Sequence, residues 1–134
     1  MRLCAAGVAL VSILLSTQAL AEQPKLKDYR AAYDECLKNS AGAGPSAVEG
    51  CTEFVVDETK HEMNALYTVI HDRLQAKSLD DAAQFDKAQK SWLAYRNAHC
   101  DLSGKYVGSP EWSVCPMELN IERVHELRQL AGQG

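Results

Sequence analysis

Cysteine spacing limits the folds open to this 134-residue chain. Cys36 and Cys51 are separated by 15 residues, and Cys100 and Cys115 by the same number. The fifth cysteine, Cys4, lies at the start of an N-terminal apolar run with which we expect it to be removed, so an even number remains. In an exported chain, an even set of cysteines indicates structural disulfides rather than a thiol enzyme or a zinc site.

Residues 1–21 have the pattern of a secretory signal peptide. A basic residue precedes an apolar run over residues 3–15, and Ala19 and Ala21 provide the small residues of a signal-peptidase site. The run is short for a bilayer span, and no second run of about 18 apolar residues follows it. We therefore predict cleavage after Ala21 and a single periplasmic or secreted domain over residues 22–134, with no membrane segment. A retained amphipathic anchor or a buried first helix is the alternative, which the absence of a polar face along residues 3–15 disfavours.

The predicted mature domain is acidic. The full chain has 14 basic and 18 acidic residues, and cleavage removes only Arg2 from the charged set, which leaves a net charge of −5 with histidine neutral. Nucleic acid and anionic lipid are poor partners for such a surface, whereas a basic protein would be attracted to it.

Hydrophobic periodicity predicts four helices and no strand, so the expected fold class is all-α, a small four-helix domain of helical hairpins. A turn rich in glycine and proline separates the first two helices, and Pro116 suits the first turn of the last. The predicted spans are approximately 28–38, 46–76, 78–102 and from 116 onward.

Two capping boxes mark predicted helix starts. Ser46 with Glu49 opens the second helix, and Ser78 with Asp81 opens the third. Steps of three and four residues then predict an aromatic stripe along one face of the third helix. That stripe comprises Phe85, Ala88, Trp92, Tyr95 and His99.

These helices place each cysteine beside a helix–loop–helix corner. Of the three possible connectivities, pairing Cys36 with Cys51 and Cys100 with Cys115 closes both corners without requiring distant elements to meet. A bridge over a loop of this size contributes about 3 kcal/mol on the chain-entropy model. We therefore predict two structural staples.

Two Glu-x-x-His pairs suggest a carboxylate-bridged metal site, but their faces argue against one. Glu58 and His61 lie on the second predicted helix, and Glu122 and His125 on the fourth. Helical-wheel positions put both pairs on polar faces, so solvated charge is the simpler interpretation. The chain also lacks a nucleophile elbow, a phosphate loop and a Cys-x-x-Cys motif. We predict no enzyme activity, no metal and no cofactor.

Three segments, "HEMNALY", "QKSWLAYRNAHC" and "NIERVHEL", resemble the LprI-type lysozyme-inhibitor domain family of small exported helical proteins. The similarity covers about residues 36–130, with Asn120 where threonine is usual. It implies a protein partner, a lysozyme or another peptidoglycan hydrolase. The residues that carry the signature are Glu62, Asn64, Tyr67, Gln89, Trp92, Tyr95, Arg96 and Arg123.

We interpret this signature as mainly structural. Gln89 and Arg96 flank the aromatic stripe, while Asn120 and Arg123 lie on the apolar side of the last helix. A buried arginine requires acceptors, and Glu62 is one candidate. A polar network that fixes helix register is therefore favoured over a ligand site, which remains the alternative.

Function is then expected on the segment "SGKYVGSPEW" between Cys100 and Cys115. Tyr106 and Trp112 are candidate aromatic anchors for the partner, and Lys105 and Glu111 flank them. Trp112 could equally fold back onto the core as a cap. An envelope interaction module or structural component without lysozyme activity is the alternative function.

Overall fold

A computed structural model describes residues 26–40 and 44–132 of the chain. It contains four α-helices, and the described residues form no strand, which confirms the all-α fold class. The predicted signal peptide and its cleavage site lie outside the described residues. The helices are α1 (Tyr29–Asn39), α2 (Pro45–Gln75), α3 (Leu79–Tyr106) and α4 (Glu111–Ala131).

The α2 helix is the central element, because it packs against α1, α3 and α4, and α3 also packs against α4. One side of α2 faces the core, where Val55 and Ile70 are almost fully buried. None of the described helices is both long enough and apolar enough to cross a membrane. The buried core cluster consists of Tyr29, Val55, Met63, Leu66, Ile70, Phe85, Met117, Val124 and Leu127.

Side-chain caps explain where two helices begin. Asp28 accepts a hydrogen bond from the backbone N–H of Ala31 at the start of α1, and Ser78 accepts one from Asp81 at the start of α3. Such caps satisfy N–H groups that have no partner within the helix.

The capping box predicted at Ser46 is wrong. The α2 helix begins at Pro45, and its N-cap is Gly44, which makes no side-chain cap bond. Proline suits the first helical position because its fixed φ is helical and the N–H it lacks would have no helical acceptor there.

The corner between α3 and α4 is tighter than predicted. The α3 helix continues beyond Leu102 to Tyr106, and α4 begins at Glu111, before Pro116. Only residues 107–110 connect the two helices. Pro116 lies inside α4, where it cannot donate to the Trp112 carbonyl. Sequence reasoning placed it in the first turn because that is where proline is best tolerated.

Both predicted disulfides are confirmed. The Cα atoms of Cys36 and Cys51 are 5.7 Å apart, and those of Cys100 and Cys115 are 5.5 Å apart. The first bridge holds α1 to α2, and the second joins α3 to α4.

Only part of the stripe predicted on α3 reaches the core: Phe85 is buried, whereas Ala88, Tyr95 and His99 are exposed. The Cys100 bridge fixes which face of α3 meets α4. At 100° per residue, the His99 side chain points about 100° away from that of Cys100, and the Tyr95 side chain about 140° away. Their rings stack on each other with centroids 5.4 Å apart.

Candidate functional site

The four residues predicted to bind a partner lie together at the α3–α4 corner, on helix ends rather than on a long loop. Lys105 and Tyr106 end α3, and Glu111 and Trp112 begin α4. We name these four residues the α3–α4 corner.

Two short polar contacts order this corner. The Lys105 ammonium donates to Asp101 at 2.6 Å within α3, and Glu111 accepts a hydrogen bond from Ser103 at 3.0 Å across the two helices. The Ser103–Glu111 bond and the Cys100–Cys115 bridge join α3 to α4 at this corner.

The aromatic side chains of the corner are accessible. Tyr106 is 85% exposed and Trp112 is 54% exposed, and Leu102 and Val107 add exposed apolar surface nearby in sequence. The Trp112 ring lies against Gly104 of α3, where an added Cβ atom would overlap it. Trp112 therefore packs on α3 with one part of its surface and presents the remainder to solvent.

Half of the signature residues form one cluster around Trp92. Arg96 and Arg123 place their guanidinium carbons 5.3 and 5.6 Å from the Trp92 ring, within cation–π range. Arg123 also donates two hydrogen bonds to Gln89 Oε1, at 3.0 and 2.8 Å, and pairs with Glu126. The cluster joins α3 to α4.

A chain of hydrogen bonds continues from this cluster into the core. Arg96 Nη1 donates to Asn120 Oδ1 at 2.8 Å, and Asn120 Nδ2 donates to Thr59 Oγ1 at 3.2 Å. The Thr59 hydroxyl lies within hydrogen-bond distance of the Val55 and Val56 carbonyls. Asn120 and Thr59 are fully buried. The amide at position 120 thus links three helices. Burial lowers the pKa of the Arg96 guanidinium.

Glu62 does not accept from Arg96 or Arg123, so the expected pairing is wrong. Its carboxylate binds Arg128 through Nε at 2.6 Å and Nη2 at 2.8 Å. It also accepts the Tyr29 hydroxyl at 2.5 Å. Geometry explains the difference, because Arg128 is 8% exposed and faces α2, whereas Arg123 faces Gln89 of α3.

These contacts shift two ionisation equilibria. Burial alone would raise the pKa of Glu62, but hydrogen bonds from Arg128 and Tyr29 hold that pKa below its usual value. Burial and the adjacent Glu62 carboxylate raise the pKa of Tyr29. Arg128 was missed in the sequence, although its position four residues after Val124 places it on the buried face.

The remaining signature residues lie on or near the surface. Tyr67 donates to Asp86 at 2.5 Å and stacks on Phe85, and its hydrogen bond to Asp86 raises its pKa. Asn64 and Tyr95 are exposed.

A groove of about 450 Å³ lies between α2 and α3. Four signature residues contribute to its lining: Asn64, Tyr67, Gln89 and Arg96. Arg96 and Lys60 also line a second concavity, which reaches Trp112. Arg96 thus faces both an internal network and an open groove.

The Glu-x-x-His pairs make other contacts. Glu58 pairs with Lys27 at 2.6 Å, and Glu122 approaches Arg30 at 3.8 Å. Within residues 26–40 and 44–132, no three potential ligand side chains are grouped to hold a metal ion.

Comparison with known proteins gave one match. The family model described as "Lysozyme inhibitor LprI" matches residues 36–127, more than two thirds of the chain. No curated protein and no solved structure matched. The match spans the four disulfide-bonded cysteines, and together with their disulfides it indicates an exported protein.

Proposed function

Because the chain belongs to the family of the lysozyme inhibitor LprI, we propose that it binds and blocks a lysozyme or a related peptidoglycan hydrolase. It acts as a stoichiometric protein ligand, without catalysis or cofactor, in the periplasm or outside the cell. Its partner is a protein, not nucleic acid or membrane.

The exposed aromatic surface of the α3–α4 corner is the main support for placing the contact site there. Tyr106 and Trp112 are large side chains of the kind that dominate binding energies at protein interfaces. Both sit on helix ends held by Cys100–Cys115, so docking would order few additional groups. We place these two rings near or in the sugar cleft of the enzyme.

Charge supports a basic partner. The predicted mature domain carries −5, so its field attracts a cationic lysozyme before contact. This attraction acts on the rate of encounter more than on the final affinity.

A lysis assay with several lysozymes, with and without the oxidised protein, tests the function. We expect stoichiometric protection of peptidoglycan from at least one basic lysozyme. Absence of inhibition of every lysozyme would contradict the function and favour an interaction module with another partner.

Variants at the corner test the contact site separately. Trp112→Ala should weaken binding by at least about 1 to 2 kcal/mol and leave the helical spectrum unchanged. A Phe54→Ala, Leu79→Ala double variant removes exposed apolar groups elsewhere and should inhibit normally. Unchanged inhibition by a Tyr106→Ala, Trp112→Ala double variant would exclude this corner as the contact surface.

A further inference from the structure

The groove between α2 and α3 is lined by more cationic than acidic side chains, although the chain as a whole is acidic. We call it the α2–α3 groove and define it by the cations Lys60, Lys90 and Arg96 on its rim. We infer that this groove binds a short acidic peptide in extended form, with a peptide carboxylate on Arg96. The inference is independent of lysozyme binding.

Arg96 has unused hydrogen-bonding capacity. A guanidinium carries five N–H donors, and the described contacts of Arg96 use three of them, two to Asn97 Oδ1 and one to Asn120 Oδ1. Nη1 and Nη2 therefore each retain one donor. Two donors on the terminal nitrogens are what a bidentate carboxylate requires.

Its charge is also uncompensated locally. Both acceptors of Arg96 are neutral amides, and no carboxylate in the described part of the chain lies within ion-pair distance of it. This contrasts with Arg123 and Arg128, which each pair with a glutamate. A half-buried guanidinium without a counterion attracts an anionic ligand.

The two lysines strengthen this field. Lys90 has no ion pair among the described residues, and Lys60 has only the longer contact to Asp57 at 3.4 Å. The acidic side chain in the lining, Asp86, already accepts the Tyr67 hydroxyl and lies 3.7 Å from His71. The groove thus favours an anion on a protein that is acidic overall.

The remaining lining suits a peptide rather than a free ion. The exposed Leu93 provides apolar surface beside the cations, and the amides of Asn64 and Gln89 can donate to backbone carbonyls. From Asp86 to Arg96, α3 rises about 15 Å, the length of four to five extended residues.

Titration of the oxidised protein with synthetic peptides, followed by amide NMR shifts, tests the inference. The probe is the pentapeptide Ala-Leu-Glu-Leu-Ala, blocked at both ends, with Ala-Leu-Gln-Leu-Ala as its neutral counterpart. We expect shifts confined to residues 60–67 and 86–97, with the Glu peptide binding at least about fivefold more tightly. A Gln peptide with a free C-terminus shows whether a terminal carboxylate serves as well as a side chain.

Charge variants identify the groove. A Lys60→Gln, Lys90→Gln double variant should bind the Glu peptide about fivefold more weakly, because each exposed pair contributes modestly. A Lys77→Gln, Lys87→Gln double variant makes the same charge change outside the groove and should bind normally. Arg96→Lys keeps the charge but loses the fork geometry and should also bind more weakly.

Three results would overturn the inference: equal affinity for the blocked Glu and blocked Gln peptides, shifts outside residues 60–67 and 86–97, or wild-type affinity in the Lys60, Lys90 double variant. Chitotetraose, a neutral oligosaccharide, should produce no shifts in the groove. If it did so while both carboxylate peptides failed, the groove would be a sugar site instead.

Discussion

Arg96 connects the surface of the molecule to its fully buried polar atoms. Its guanidinium donates to Asn120, whose amide in turn donates to Thr59 in α2. A buried acceptor that loses its donor costs about 1 to 3 kcal/mol, more than the net contribution of an ordinary hydrogen bond. Register between α3 and α4 therefore depends on this residue.

Arg96→Met should lower the free energy of unfolding by about 1 to 3 kcal/mol, because it leaves Asn120 Oδ1 buried without a donor. Urea denaturation measures this change. Adding Asn120→Leu should cost less than the sum of the two single changes, since Thr59 keeps its backbone acceptors. Full stability of Arg96→Met with loss of ligand binding would instead identify Arg96 as a binding residue only.

The ionisation of Glu62 makes the stability of the fold vary with pH in the acidic range. Its folded-state pKa is lowered by Arg128 and Tyr29, so the ionised carboxylate stabilises the fold above its unfolded pKa of about 4.3. That contribution is lost as pH falls through the lower, folded-state pKa. Glu62→Gln should therefore cost about 2 to 3 kcal/mol at pH 7, somewhat less than for a fully buried pair.

The difference between Glu62→Gln and wild type should narrow as pH decreases from 5 toward 3, which unfolding curves at several pH values measure. Glu58→Gln is the matched control, because its ion pair with Lys27 is exposed and should contribute little. A stability difference between Glu62→Gln and wild type that stays constant across this pH range would contradict the conclusion that the ionised Glu62 carboxylate stabilises the fold.

At the scale of helices, periodicity and cysteine spacing predicted the existence and pairing of the elements. Residues at the ends of helices were less predictable. Leu102 and Pro116 gave no local signal that α3 continues and α4 begins early, because the Trp112 and Gly104 contact that joins these ends is tertiary.

At the candidate site, too, the local placement of residues was predictable from the sequence, whereas long-range pairings were not. Lys105, Tyr106, Glu111 and Trp112 were placed together because two cysteines enclose them in the sequence. The partner of Glu62 was not predictable from local spacing, since Arg128 lies 66 residues away. Long-range pairings depend on how helices are rotated, which the Cys100 bridge determines for α3.

The contact between Gly104 and Trp112 predicts an unusual glycine substitution. Alanine normally stabilises a helix by about 0.5 to 1 kcal/mol over glycine. In Gly104→Ala, however, the new methyl group would overlap the Trp112 ring and displace it. We expect lower stability and a red-shifted tryptophan emission, measured by thermal melts and fluorescence.

Gly50→Ala provides the control within α2, because no atom lies within 4 Å of its added methyl group. It should raise stability and leave the fluorescence unchanged. Equal stabilisation by both substitutions would show that Trp112 does not rest on α3 in solution.

At the scale of the whole molecule, two disulfides join consecutive helices in pairs, α1 to α2 and α3 to α4. The α1 helix gains further contacts through Tyr29 to Glu62 and through Arg30, which pairs with Glu118 of α4. Staples of this kind matter in a domain this small, because about 3 kcal/mol per bridge is a large share of a typical stability of 5 to 15 kcal/mol. The Cys100–Cys115 bridge lies beside the α3–α4 corner and limits the conformational freedom of these helix ends.

Net charge governs how that rigid surface meets its proposed partner. The predicted mature domain carries −5, and the exposed aromatic side chains Tyr106 and Trp112 are neutral. Long-range attraction should therefore accelerate association with a basic lysozyme, while apolar contact sets the dissociation rate. Raising salt from 0.01 to 0.15 M shortens the Debye length from about 30 to about 8 Å. Stopped-flow or surface-binding kinetics should then show association slowing several-fold with dissociation nearly constant, whereas Trp112→Ala should accelerate dissociation at either salt. If salt instead changed the dissociation rate more than the association rate, ion pairs rather than the aromatic corner would hold the complex together.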